Sequence, residues 1–164
     1  LFSPPYIMCV MSKVITLLCI GDELLDGRIL NTNQQTLSTL IWEAGYTVSQ
    51  SVSVGDSMDV LIPKMTEVHV QSDIVICTGG LGPTEDDRTV LALSQMAGVN
   101  VVRSLEVEEM LRSFYAKRNR PMPESNLKQA DIPEGSVLIP NQMGTAVGTQ
   151  LKVGQIWFFL LLVV

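Results

Sequence analysis

The sequence has little charge, and least of all positive charge. Only 17% of its 164 residues are Asp, Glu, Lys or Arg, against about 25% in an ordinary soluble domain. Eleven Lys and Arg stand against seventeen Asp and Glu, for a formal net charge of −6. Nucleic acid is held by clustered Lys and Arg on its phosphates, so this balance excludes a general nucleic-acid binder. There is one histidine, His69, and there are three cysteines, Cys9, Cys19 and Cys77. A lone histidine builds no histidine metal site, and no cysteine pair has metal-ligand spacing. Cys19 and Cys77 lie inside apolar runs and read as small buried hydrophobes of a reducing, cytoplasmic compartment. His69, between Val68 and Val70, reads as a surface residue at a helix end. A membrane-spanning helix needs about 20 apolar residues. The terminal run Ile156 to Val164 is too short for one and reads as a buried strand, so no membrane partner is expected.

What is present is a 46% hydrophobic chain of a length that suits one domain. Residues 1–12 contain Pro4 and Pro5 and lack the basic start of a signal peptide, so they read as an extension outside the fold. Val14 to Ile20 is an unbroken apolar run, the mark of a strand buried on both faces. Leu37, Leu40, Ile41 and Ala44 recur at helical spacing, and Gly45 supplies the stop. Tyr46 to Val54 alternates as a second strand. A helix over Asp59 to Val70 is expected, with Pro63 in its first turn, where a missing N–H costs least. Ile74 to Cys77 is the third strand, and a helix from about Asp87 to Ala97 stops at Gly98. Val99 to Val102 is a short strand. Ser104 then caps a helix whose apolar face is Val107, Met110, Leu111 and Phe114. Asn119 to Asn126 reads as loop, and Ser136 to Ile139 and Thr149 to Phe159 as late strands turning at Gly154. Strands and helices that alternate in this way imply an α/β fold: three α/β/α layers around a mainly parallel sheet.

In such sheets ligands bind where strands end. Gly21-Asp22-Glu23 follows the first strand. Gly79-Gly80-Leu81-Gly82-Pro83-Thr84-Glu85-Asp86-Asp87 follows the third. The three glycines let backbone N–H groups converge, and the next helix adds a partial positive charge, so a phosphate can be held without a lysine. The Gly-Lys-Ser/Thr ending of a Walker loop is absent. Asp86 and Asp87 would repel a phosphate unless a cation lay between, and Mg²⁺ commonly bridges carboxylates to phosphates. Asp22, Glu23 and Asp56, from neighbouring strand ends, can join such a site. The competing reading makes Gly79-Gly80 a plain turn and Thr84, Asp86 or Asp87 helix N-caps, with Asn31 and Asn33 as turn and cap residues. Glu106-Val107-Glu108-Glu109 is similar to the acidic helix of Nudix pyrophosphatases. It lacks their Arg-Glu opening and following Gly, and reads as a solvated helix face.

Gly21-Asp22-Glu23-Leu24-Leu25-Asp26-Gly27-Arg28-Ile29-Leu30-Asn31-Thr32-Asn33 resembles the opening motif of the molybdopterin-binding (MoaB/Mog-like) superfamily, and Val54-Gly55-Asp56 its second-strand signature. Thr78-Gly79-Gly80-Leu81-Gly82-Pro83-Thr84-Glu85-Asp86-Asp87-Arg88-Thr89 resembles the longer signature of the competence/damage-inducible protein A (CinA) family. Arg118 to Met122, Asn126 with Lys128-Gln129-Ala130, and Gly144-Thr145-Ala146 with Gly148 follow in that family's order.

The resemblance implies a three-layer α/β domain over residues 13–164 with a divalent-metal-dependent (Mg²⁺, Mn²⁺ or Co²⁺) pyrophosphatase activity. That activity would convert ADP-ribose to AMP and ribose 5-phosphate. It implies a phosphate cradle of Thr78, Gly79, Gly80, Gly82, Pro83 and Thr84 with Gly144 and Thr145. Asp22, Glu23, Asp86 and Asp87 are the implied metal ligands, and Asp56, Asp86 and Asp87 the catalytic candidates. It further implies homo-oligomers. Relatives continue past the last strand into a Leu-Pro-Gly-x-Pro-x-Glu loop and a helix, so the domain is read as lacking that final loop and helix. A molybdopterin-binding or adenylyl-transferring protein, and an inactive truncated domain, are the alternatives.

Overall fold

The computed structural model describes residues 13–141 and 144–162. The expected extension at 1–12, Cys9, and the last two residues of the apolar ending lie outside the described residues. Strand β1 (Ile15–Ile20) is buried along its whole length. It has a parallel neighbour on each side, β2 (Val48–Val54) and β3 (Ile74–Thr78). A strand enclosed on both faces and both edges has no position for a polar–apolar alternation, which is why this segment is a continuous apolar run. Thr16 is its one hydroxyl, and it is satisfied by Ser72 Oγ at 2.7 Å and by Gln50 Nε2 at 3.0 Å.

The six-stranded sheet has the order β2-β1-β3-β8-β7-β6. β8 (Ile156–Leu160) runs parallel to β3, and β7 (Gly148–Val153) and β6 (Val137–Ile139) add an antiparallel flank. The apolar ending is therefore a central strand, with Phe158 and Leu160 buried. β2 is an edge strand that alternates Val48, Gln50 and Val52 with exposed serines. It begins at Val48, and Tyr46, expected to open it, is exposed before it.

Helices cover both faces. Leu61, Met65 and Val68 of α3 (Met58–Gln71) and Ala92 and Leu93 of α4 (Thr89–Ala97) pack on Leu18, Val75, Cys77, Leu151 and Phe158. Leu37 of α2 (Thr32–Glu43) is buried on the opposite face. There Ile76 and Phe159, which alternate with the packed residues along their strands, stay half-exposed. Two expectations for α3 change. Pro63 is the sixth residue of α3 rather than a first-turn residue, so the carbonyl of Asp59 loses its i+4 donor in the second turn. His69 is half-buried and stacks on Phe158 with ring centroids 5.9 Å apart. The strand crossing beneath α3 covers that helix end, which helical spacing alone does not reveal.

A smaller second layer stands at one side. β4 (Val101–Arg103) pairs antiparallel with β5 (Asp131–Pro133). Val107 and Leu111 of α5 (Leu105–Ala116) pack with Ala130 at the end of a 3₁₀ helix, Glu124–Ala130. That 3₁₀ helix overlaps the stretch expected to be loop, and β5 carries no period-2 signal over three residues. Met110 is exposed and Phe114 half-buried, so the buried stripe of α5 is narrower than its spacing suggests. Glu108 pairs with Arg112 at 2.7 Å one turn on, as a solvated helix face does. Cys19 and Cys77 are free and buried. Among the described residues no helix is long and apolar enough to cross a membrane.

Candidate active site

The register of the parallel strands assembles the site. Ile20 pairs with Val54, and Cys19 with Thr78. The three strands therefore end side by side, and their following loops emerge at one edge. Gly21 donates its N–H to Val54 O at 2.9 Å and ties two of these ends together. The chain after β1 turns into a single helical turn, α1 (Asp22–Leu25). This lifts Asp22 and Glu23 over the edge of the sheet. With Asp56, Asp86 and Asp87 they line a cleft of about 360 Å³, which Gly80, Thr84 and Arg28 complete.

Two glycines make this proximity possible. At Gly79, φ is +99° and a Cβ would lie 2.0 Å from the carbonyl oxygen of Ile20. The loop after β3 thus passes directly against the end of β1, and no side chain fits between. At Gly55 a Cβ would lie 2.5 Å from Asp22 Oδ1. The Asp22 carboxylate occupies the space a side chain would take.

The glycine loop is held by its own side chains. Asp87 Oδ2 accepts from the Thr84 N–H at 2.7 Å and from the Thr84 hydroxyl at 2.6 Å. Thr89 donates its hydroxyl to Gly79 O at 2.7 Å. Lys128, in the 3₁₀ helix, donates to Thr84 O. Helix α4 starts at Thr89, later than the expected Asp87, and its N-cap position is Arg88 without a side-chain cap bond. Thr84, Asp86 and Asp87 are therefore not helix caps. Asn31 is one: it caps α2 by accepting from Gln34 N–H at 3.0 Å. Asn33 instead donates to the Thr78 hydroxyl at 3.0 Å, linking α2 to the end of β3.

The cleft is electrostatically tense. Burial, together with the charges of Asp22, Asp86 and Glu23, holds the Asp56 carboxyl above the usual aspartate value. Arg28 is committed to Asp26 at 2.6 Å, and Arg88 stands 3.9 Å from the exposed Asp86. Among the described residues no group of three or more Asp, Glu, His or Cys is gathered to hold a metal ion. The donors are hard carboxylate oxygens, the type Mg²⁺ and Mn²⁺ prefer. They line the cleft without closing into a ligand shell.

Asp22, Glu23, Asp56, Asp86, Asp87, Gly80 and Thr84 are thus brought to one place. Others are not. Thr78 is buried, and with Gly79 it lines a separate space of about 120 Å³ beside Asn31 and Asn33. Pro83 is half-buried in the bend of the loop. Gly82 faces an apolar cavity of about 200 Å³. Gly144 and Thr145 line a groove of about 630 Å³ against Phe114 and Arg118 of α5. Their motif lies close in sequence to β7, but the strand carries it away from the carboxylates. Arg28 and Lys128, present in the family motifs without an expected site role, also contribute to this region. The signal for Lys128 was weak: it stands over forty residues from the loop it touches.

A mainly parallel sheet between helices, with carboxylates and a glycine loop at its strand ends, defines the class. The family model described as "Probable molybdopterin binding domain" matches residues 16–161. CinA-like proteins of Shewanella putrefaciens and Shewanella baltica are 36% and 37% identical over 145 residues, 88% of this chain and 34% of theirs. The chain thus spans about a third of the length of these curated relatives. The crystal structure of a CinA protein from Thermoplasma acidophilum, described as of unknown function, superposes with a TM-score of 0.82 at 30% identity. The match covers 92% of this chain and 88% of that one. A Mog molybdopterin-biosynthesis protein from Mycobacterium ulcerans shares the fold, with a TM-score of 0.57 at 17% identity over 92% of this chain and 84% of that one. The chain belongs to the molybdopterin-binding-domain family, as a CinA-like member with a MoaB/Mog-like domain.

Proposed function

We propose that this domain is a divalent-metal-dependent hydrolase that splits the pyrophosphate bond of ADP-ribose, or of a similar small dinucleotide, into AMP and ribose 5-phosphate. The observation that carries the reading is the meeting of five carboxylates with a lysine-free glycine loop in one strand-end cleft. The backbone amides about Gly80 suit phosphate oxygens, while Thr84 gives its N–H and hydroxyl to Asp87 and holds the loop in shape. Asp22, Glu23, Asp86 and Asp87 would hold Mg²⁺, Mn²⁺ or Co²⁺. When bound, the cation neutralises phosphate charge and polarises the scissile phosphorus–oxygen bond. Asp56, whose carboxyl is held above the usual value, takes a proton from the attacking water. The water oxygen bonds to phosphorus, the bridging P–O bond breaks, and the departing phosphate carries off the bridging oxygen.

The test is chromatographic detection of AMP after incubation with ADP-ribose and each of the three metals. A folded sample that releases none with any of them rejects the reading. A second reading, pterin binding or adenylyl transfer, draws on the description of the family model and on the Mog-type fold neighbours. Tight pterin binding without ADP-ribose turnover would favour it. An inactive domain would show neither, and no rise in melting temperature with ADP-ribose and metal.

A further inference from the structure

The large sheet is open at β2. This seven-residue strand has β1 on one side and no strand on the other. Val54 O accepts from Gly21 N–H on the β1 side. Backbone groups alternate between the two edges of a strand, so the N–H and C=O groups of Ser51 and Ser53 point outward. None of these groups has a partner among the described residues. Ser49, Ser51 and Ser53 are exposed, so α2, the helix on their face of the sheet, stands back from the edge. The one irregularity is at the start of the strand. There the ladder to β1 shifts, and the Ile15 N–H goes to the Ser49 hydroxyl at 3.2 Å. Ser51 and Ser53 lie past it.

Open edges are commonly guarded by charge, by proline or by a very short strand. No Asp, Glu, Lys, Arg or Pro lies between Glu43 and Asp56. The residues there instead read nearly alike in both directions about Gln50: Gly45-Tyr46-Thr47-Val48-Ser49-Gln50-Ser51-Val52-Ser53-Val54-Gly55. Val48 mirrors Val52, Ser49 mirrors Ser51, Thr47 mirrors Ser53, and Gly45 mirrors Gly55. Two antiparallel strands related by a two-fold axis meet in reversed order, so such a contact needs a self-complementary edge. Reversed about Gln50, valine faces valine and hydroxyl faces hydroxyl, pairs that stabilise neighbouring strands. The flanking Glu43 and Asp56 fall opposite Ser57 and Ala44, so no like charges meet. Gln50 leaves the centre clear, because its side chain reaches back to the Thr16 hydroxyl of β1 at 3.0 Å.

We propose that the outer edge of β2 is an interface for a second copy of this chain. The two β2 strands pair antiparallel about a two-fold axis at Gln50 and join two six-stranded sheets into one. A two-fold contact uses the same patch on both copies and closes on itself, so assembly through this edge stops at a dimer. Seven residues from each copy bury less than the roughly 1,200 Å² of a stable interface. The dimer is therefore weak, with a Kd of about 1–100 µM. It is independent of any chemistry in the acidic cleft.

The experiment is sedimentation equilibrium of the full chain at concentrations spanning that range, with amide hydrogen exchange followed by NMR on the same samples. A monomer–dimer equilibrium is expected. At the highest concentration the Ser51 and Ser53 amides should exchange at least about tenfold more slowly than in dilute samples, while those of Gln50 and Val52, which face β1, change less. Ser51→Lys puts a charge on the exposed edge, and Ser51→Pro removes an outward N–H; edge strands tolerate both. Each should weaken the dimer at least about tenfold with little change in melting temperature. Ser51→Thr keeps the N–H and the hydroxyl and should dimerise as the parent does. If Ser51→Pro fails to fold, Ser51→Lys decides. A chain that stays monomeric throughout, a dimer that leaves Ser51 and Ser53 unprotected, or a dimer that Ser51→Lys does not weaken overturns the proposal.

Discussion

Asp87 holds Thr84 through a single carboxylate oxygen that accepts both the backbone N–H and the hydroxyl, at 2.7 and 2.6 Å. This pair closes the glycine loop on itself two residues before α4 begins, and it turns Asp87 toward Gly82 while its neighbour Asp86 remains exposed.

The two adjacent aspartates should therefore respond differently to removal. Asp86→Ala should leave stability within about 0.5 kcal/mol, as for an ordinary surface change. Asp87→Ala loses two charge-assisted hydrogen bonds on an open loop and should cost about 1–2 kcal/mol. Both should abolish turnover if both carboxylates serve the cleft. Urea denaturation and AMP release, measured side by side, check this. Full activity in both variants would remove them from the proposed site.

Gly79 and Gly27 separate lack of space from backbone conformation. Both have positive φ, but a Cβ at Gly27 meets nothing within 4 Å, whereas at Gly79 it meets Ile20 O. Gly27→Ala should cost about 1 kcal/mol for the backbone conformation alone. Gly79→Ala must also move one strand end from another and should cost about 3 kcal/mol or more, in line with strain plus overpacking. Equal midpoints in urea for the two variants would show that the loop does not press on β1.

The raised Asp56 carboxyl sets a pH dependence with a definite sign. The folded state holds the Asp56 proton more tightly than the unfolded chain does. Its favourable contribution is complete below the ordinary aspartate value of 3.8, and it is lost as pH rises through the higher folded value. At pH 7 the ionised group works against folding. Asp56→Asn should melt higher than the parent at pH 7 and lose that advantage as pH falls below the ordinary value. Millimolar Mg²⁺ should stabilise the parent more than the variant if a cation offsets the mutual repulsion. Melting curves across pH, with and without Mg²⁺, read both effects.

Local order was legible where one physical rule dominates a segment. The unbroken apolar run of β1 could belong only to an enclosed element, and its β-branched residues and length favoured a strand. Ser104 announced α5, and it accepts from Val107 N–H at 3.3 Å. Gly98 announced the end of α4, where φ is +70°. The loops that carry Asp22, Asp56 and Asp86 were legible because each follows a recognisable strand. Segments in which two rules compete were not. The start of α4 was misplaced because Asp87 is a good N-cap residue, but its oxygen is taken by Thr84. The 3₁₀ helix before β5 is polar, Pro-led and without an apolar period, so nothing in its residues distinguished it from loop.

By itself the sequence determined the class of fold, the strand-end loops and the carboxylate-and-glycine chemistry, because hydrophobic period and turn residues act over a few neighbours. Only the tertiary structure decided which of those residues meet. The register of β1 with β2 and β3 gathers Asp22, Asp56 and Asp87. The path of β7 carries Gly144 and Thr145 away to α5 and leaves Thr149 facing an apolar cavity. Those relationships join residues tens of positions apart, and strand pairing and packing set them, not any signal local to the chain.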